Sequence, residues 1–192
     1  MTETILDVID DTYLTSVNPN NNYATANYWY ARSTAQYAIL LYDLSGIPTT
    51  DVITSAVLSG YFYNQSGTGD IDIDVYRLKQ SWVSNQVTFN NRYTGTAWQT
   101  AGALGADDYD SSSLGQATCV GTSYGWIYWS LSTMVIKKMV DGTYSNYGFI
   151  LRGSADKYAY FRSLDYGSNF AKLTINHQAA DTSIYVPRII VF

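Results

Sequence analysis

The chain has 192 residues, 11 basic against 16 acidic, giving a net charge of −5 and a pI near 4.6. Nucleic acid is excluded as a partner, because phosphate binding needs a basic face. No stretch approaches the length of a membrane-spanning helix, and the lone Cys119 excludes an intrachain disulfide. The composition departs from the ordinary in its 19 Tyr and 5 Trp, set against only 14% charged residues. Aromatic side chains favour pleated strands, and Tyr buries area behind a polar tip, which suits contact surfaces.

The elements follow in chain order. Residues 16–23, with Asn18-Pro19 and three further Asn, form a turn-rich entry to a strand over 28–32. Residues 37–44 are largely apolar and too short for a helix, so they read as a buried strand. Ser45-Gly46-Ile47-Pro48 stops it, and a second strand runs over 53–63. Residues 71–78 alternate strictly, which turns Ile71, Ile73 and Val75 toward the core. The stretch 91–121 is rich in Gly, Ser and Asp and is expected to be mostly loop.

Aromatic strands are predicted over 125–131 and 147–152, with 158–164 pairing to the latter as a hairpin and 172–176 closing the fold. One short helix is predicted over 132–141: Leu131, Val135 and Met139 share a face, Ser132 is placed to cap it, and Gly142 suits its end. The fold class is therefore all-β, a jelly-roll type β-sandwich with one short helix. The expected core is Trp29, Leu40, Tyr42, Leu44, Ile53, Leu58, Ile71, Ile73, Val75, Trp82, Phe149, Leu151 and Leu173. A single domain over 1–176 is expected, followed by an extension over 177–192.

Several short motifs occur in a fixed order. Asp10-Asp11-Thr12-Tyr13-Leu14 opens the series, followed by Asn18-Pro19 and Asn22-Tyr23-Ala24. Ser81-Trp82 and Val87-Thr88-Phe89-Asn90 come next, then Asn146-Tyr147-Gly148-Phe149, Phe161-Arg162-Ser163-Leu164-Asp165 and Lys172-Leu173-Thr174-Ile175. Together they resemble the DNRLRE (disaggregatase-related) β-sandwich family, which includes carbohydrate-binding modules. The resemblance runs from about Asp10 to Ile175 and implies surface recognition or structure in place of catalysis. Basic residues on one strand face hold acidic sugar in alginate-binding relatives. The corresponding face here carries Tyr28, Tyr30 and Arg32, an expected glycan contact in which Arg32 would fork onto a carboxylate.

Asp70, Asp72 and Asp74 lie along a straight strand and cannot converge on one ion, so they read as a solvated face. Asp107, Asp108 and Asp110 sit in a loop that can curl, and calcium, if bound, is expected there. His177, the only His, is expected on the surface beyond the last strand, and Cys119 lacks a basic neighbour, so no catalytic residue is assigned.

After Ile175 the segment 183–192 is strand-prone, and Ile184, Val186, Ile189, Ile190 and Phe192 are too apolar for a free end. They are expected to bury in cis or to dock on a neighbouring subunit, with Pro187 at an edge or kink. The N-terminus shows no signal-peptide pattern. The chain is thus expected to be a structural or adhesive module of a large extracellular assembly, foremost a virion surface protein with protein subunits as partners and acidic polysaccharide as a ligand. The alternative is a carbohydrate-binding module cut from a secreted polysaccharide-degrading enzyme.

Overall fold

The computed structural model describes residues 1–181. Its strands are β1 Thr2–Thr15, β2 Tyr28–Ala31, β3 Gln36–Tyr42, β4 Val52–Gln65, β5 Ile71–Arg77 and β6 Asn91–Tyr93. They continue with β7 Thr96–Ala97, β8 Gly115–Cys119, β9 Gly125–Ser130, β10 Phe149–Gly153, β11 Ala159–Arg162 and β12 Lys172–Gln178. The helix α1, Thr133–Val140, follows β9, and a 3-10 turn, Leu164–Tyr166, follows β11.

The fold is an antiparallel β-sandwich. The front sheet runs β2-β11-β4-β12-β1, with β9 on the other edge of β4; the back sheet runs β1-β3-β10-β5-β8. Strand β1 belongs to both. Thr2 to Asp7 pair with β12, Val8 to Thr15 pair with β3, and a register shift within the β3 ladder leaves Ile9 as the extra residue between Val8 and Asp10. A bulge of this kind bends a strand and sharpens its twist, which lets one strand cross from sheet to sheet.

Period-two alternation explains the core. Ile71, Ile73 and Val75 of β5 are fully buried, as are Leu173 and Ile175 of β12. Trp29 of β2 stacks on Phe161 of β11 with ring centroids 4.2 Å apart. Gly60 of β4 makes room for that stack, because a Cβ there would lie 3.1 Å from the Phe161 ring and 3.3 Å from the Trp29 indole.

A second apolar cluster covers the outer face of the back sheet. Leu14, Tyr37, Ile39 and Ile150 pack there against Trp82, Val87, Trp98 and Ala103 from the segment 79–113. Strand β3 is therefore buried on both faces, which is why its sequence is a continuous apolar run. All thirteen expected core residues are buried, Trp82 within this second cluster.

Two expectations are corrected. The hairpin between 147–152 and 158–164 does not form: β10 lies in the back sheet between β3 and β5, and β11 lies in the front sheet between β2 and β4. The turn between them crosses the sandwich and gives each strand's apolar face its own side of the core. The segment 91–121 is mostly loop, as expected, and within it lie the small hairpin β6-β7 and the edge strand β8, which pairs with β5 although Gly115 to Cys119 carry only one β-branched residue. His177 lies inside β12 and is buried.

The helix begins one residue after Ser132 and ends at Val140, with Asp141 as its C-cap and Gly142 at φ +79° just beyond. Ser132 takes the cap position without a side-chain cap bond. The assembly residues Ile184, Val186, Ile189, Ile190 and Phe192 lie outside the described residues.

Candidate ligand-binding face

The two outer faces of the sandwich differ. The back one is covered by the segment 79–113, while the front one is open and aromatic. Strand β11 turns Ala159 and Phe161 inward and Tyr160 and Arg162 outward; β4 adds Tyr61 and Tyr63, and β9 adds Trp126 and Tyr128. Cross-strand register brings these together: Tyr30 faces Tyr160, Tyr28 faces Arg162, Tyr160 faces Asn64 and Tyr61 faces Trp126. Tyr61 and Trp126 meet edge to face at 5.5 Å, and Tyr128 is 62% exposed.

The expected trio of Tyr28, Tyr30 and Arg32 lies at the rim of this surface. Tyr28 is half-buried, stacked at 5.6 Å from Tyr13 and edge-on to Tyr160. Tyr30, expected to be exposed, is only 7% accessible, because Tyr13 of β1 packs on it at 4.2 Å and Tyr158 at 5.0 Å. Burial pushes the Tyr30 and Tyr13 phenols up from their ordinary range.

Arg32, expected to be the cation of this face, is already occupied. Its guanidinium pairs with Asp156 at 2.5 Å and donates to the Tyr158 hydroxyl at 2.9 Å. The Asp156 carboxyl is held below the usual range by hydrogen bonds from Arg32 and Thr34.

On this face, among the described residues, the cation without a carboxylate partner is Arg162. Its guanidinium sits 4.6 Å from the Tyr61 ring centroid and 4.2 Å from that of Tyr166, which the 3-10 turn presents. Its buried Nε has no hydrogen-bond partner, and no carboxylate among the described residues lies within ion-pair distance. Sequence reading quoted Arg162 only as part of a strand motif. A usable signal was present: β2, β4, β9 and β11 contain no acidic residue, and Arg162 is their one charge.

The loop acids serve the fold. Asp108 is fully buried and accepts from the backbone N–H groups of Gln99, Thr100 and Gly105 at 2.8–2.9 Å. Asp107 accepts from the Gln99 amide side chain, and Asp110 pairs with Arg77 at 2.8 Å. Among the described residues no group of three or more His, Cys, Asp or Glu is arranged to hold a metal ion.

A cleft of about 580 Å³ opens at the β1 bulge, lined by Asp10, Asp11, Trp82, Leu164 and Asp165 among others. Burial pushes the Asp11 carboxyl up to about 7, with Asp165 and Asp10 adding to the rise against the Leu164 N–H that lowers it. Cys119 is buried, and burial raises its thiol to about 12, far from a reactive thiolate. No helix among the described residues is long and apolar enough to cross a membrane.

These features define an antiparallel β-sandwich with one sheet face self-covered and the other left open and aromatic. The disaggregatase related repeat domain matches residues 11–176, and the chain belongs to this family. Comparison with curated proteins finds no match.

Proposed function

We propose that the protein is a non-catalytic recognition module that holds polysaccharide on the open front face, as an adhesive part of a larger extracellular or virion-surface assembly. One observation carries this reading: the segment 79–113 covers the back sheet, and no comparable segment among the described residues covers the face of Tyr, Trp and Arg162 on the front. Aromatic rings offer apolar faces to the C–H faces of sugars, and a guanidinium forks onto a carboxylate.

The non-catalytic part is supported as far as imidazole and thiol chemistry are concerned. His177 has both ring nitrogens engaged, and Cys119 is sealed in the core.

Affinity electrophoresis through gels containing polyuronate or neutral glucan tests the proposal. Retardation by at least one polymer is expected, and it should weaken about tenfold in Trp126→Ala. An unretarded wild-type chain across a broad polysaccharide panel overturns it.

A protein neighbour is the second reading, favoured by the exposed Val120, Tyr124 and Tyr128 around the turn between β8 and β9. Such a patch suits an interface core. Concentration-dependent self-association lost in Tyr124→Ser/Tyr128→Ser would select it.

A further inference from the structure

The cleft at the β1 bulge is unaccounted for by the front face. Asp10 and Asp11 of β1 and Asp165 of the 3-10 turn line it, and no Lys, Arg or His does. Asp11 is only 3% exposed, and the Leu164 N–H is its one donor among the described residues. Asp10 and Asp165 have no ion-pair or side-chain hydrogen-bond partner among those residues, whereas Asp7, Asp110, Asp141 and Asp156 each pair with a Lys or Arg. Three carboxylates gathered without a counter-charge repel one another, and the buried one carries the cost of desolvation as well.

The rest of the lining says which cation fits. Trp82 contributes its ring, and Ile9 and Val83, both exposed, add apolar surface. A volume of about 580 Å³ far exceeds the roughly 30 Å³ of one water, so the cleft takes a side chain with its flanking residues and not a bare ion. A guanidinium suits it, being planar, forked onto carboxylates and stable against an indole face.

The segment 182–192 lies outside the described residues, and its sequence is complementary to the cleft. Arg188 is its one charge, and Val186, Ile189 and Ile190 beside it are apolar. The chain as a whole carries −5, so copies repel one another unless a contact sets a cation on an acid. Reach favours a second copy over the same chain. Thr2 pairs with His177, so β12 ends at the far end of β1 from the cleft, nine residues or roughly 30 Å from Asp11. The ten residues from Gln178 to Arg188 span at most about 35 Å, so a chain would reach its own cleft only drawn nearly straight. Resting on the assembly half of the proposed function and not on its ligand, we propose that the cleft seats Arg188 of a second copy, its guanidinium among Asp10, Asp11 and Asp165 and against Trp82, with Ile189 and Ile190 on Ile9 and Val83. Each copy then offers both a segment and a cleft, a head-to-tail contact that can repeat along an assembly.

Sedimentation equilibrium of the full chain at pH 8 tests this. Association that rises with concentration is expected, weakened about tenfold or more by Arg188→Glu and by the paired Asp10→Asn/Asp165→Asn, whose carboxylates hold nothing in the fold. The groups facing Asp11 are Asp10, Asp165 and the Tyr42 phenol of β3, none of them basic. A seated cation favours the ionised form of Asp11, so association should weaken as pH falls through about 7. Arg188→Glu mixed with Asp165→Lys should associate more tightly than either alone, because an intact Arg188 then meets an intact cleft.

Association indifferent to Arg188→Glu, or to the paired cleft substitutions, overturns the proposal and gives the contact to another surface, such as the exposed Tyr124 and Tyr128. A chain that stays monomeric at every concentration overturns the intermolecular seat. If Arg188→Glu then lowers the unfolding temperature at pH 8 and not at pH 4, the segment occupies its own cleft instead. Arg188→Glu is expected to leave retardation in polysaccharide gels unchanged, so loss of gel binding with association intact removes only the front-face reading.

Discussion

His177 Nδ1 lies 2.7 Å from Asp51 Oδ2, and Thr4 Oγ1 reaches the other ring nitrogen at 2.9 Å. With its proton on Nδ1 the ring donates to Asp51 and accepts from the Thr4 hydroxyl, so both nitrogens are satisfied. The contact ties the start of β1, the end of β12 and the turn before β4 into one clasp at the lower end of the front sheet. His177 and Asp51 are both buried, so removing either strands the other. His177→Ala should cost about 3 kcal/mol, whereas Thr4→Val should cost only about 1 kcal/mol. Urea denaturation midpoints of the two variants check the ratio.

Asp11 gives a pH dependence of defined sign. Its folded-state value is raised from 3.8 to about 7, chiefly by burial. The stability it contributes is therefore fully present below pH 3.8 and is lost as pH rises through 7. A shift of this size corresponds to roughly 4 kcal/mol at most. Asp11→Asn keeps an acceptor for the Leu164 N–H, 2.9 Å away, and removes the charge. The variant should match wild type near pH 4 and exceed it by a few kcal/mol at pH 8. Denaturation curves at the two pH values decide it, and a parallel pH profile for the two proteins would refute it.

Gly148 sits at φ +80°, and a Cβ there would collide with the backbone carbonyl of Leu40 in β3. The left-handed conformation alone costs a side-chain-bearing residue about 1–2 kcal/mol, and the neighbour is backbone that cannot swing aside. Gly148→Ala should therefore lower stability by more than about 2 kcal/mol. Gly46 provides the contrast, because it has nothing within 4 Å of its Cβ position and no positive φ. Thermal unfolding of Gly46→Ala should fall within a degree or two of wild type.

Arg32 and Arg162 should part company in binding assays. The Arg32 ion pair is with an exposed Asp156 and contributes little to stability. Arg32→Ala is expected to fold normally and to retain polysaccharide affinity within about twofold. Loss of binding in Arg32→Ala, with Arg162→Gln unaffected, would return the ligand to the β2 rim.

Much of the fold was legible because it rests on local patterning. The strict alternation of Ile71, Ile73 and Val75 and the apolar run 37–44 each specify an element and its buried side, whereas the Leu131, Val135 and Met139 spacing locates the helix but only part of its buried face, since Leu131 precedes α1, Val135 is half-buried, and Ile136 and Val140 join Met139 in the core. Pairing was less legible. Strands β10 and β11 are neighbours in sequence yet lie in opposite sheets, and only the three-dimensional arrangement of apolar faces decides that.

The candidate site was half-legible for a related reason. Sequence places Tyr28 and Tyr30 on one strand face, but the burial of Tyr30 depends on Tyr13, which arrives from another strand. Likewise Arg32 looked available until the fold brought Asp156 to it, while Arg162 is left without an acid by the strands around it. Which cation is spoken for is a long-range property.

Strand β1 has a mechanical consequence. Thr2 to Asp7 are laddered to β12 in the front sheet and Val8 to Thr15 to β3 in the back sheet. A pull along β1 therefore loads both ladders in shear, with the bonds of each sheet sharing the force instead of breaking one after another. The single bulge at Ile9 transfers tension from one layer to the other, so neither sheet can be peeled away while its partner holds. A tether attached through this strand would resist force far better than one attached at β2, whose four residues pair with β11 alone.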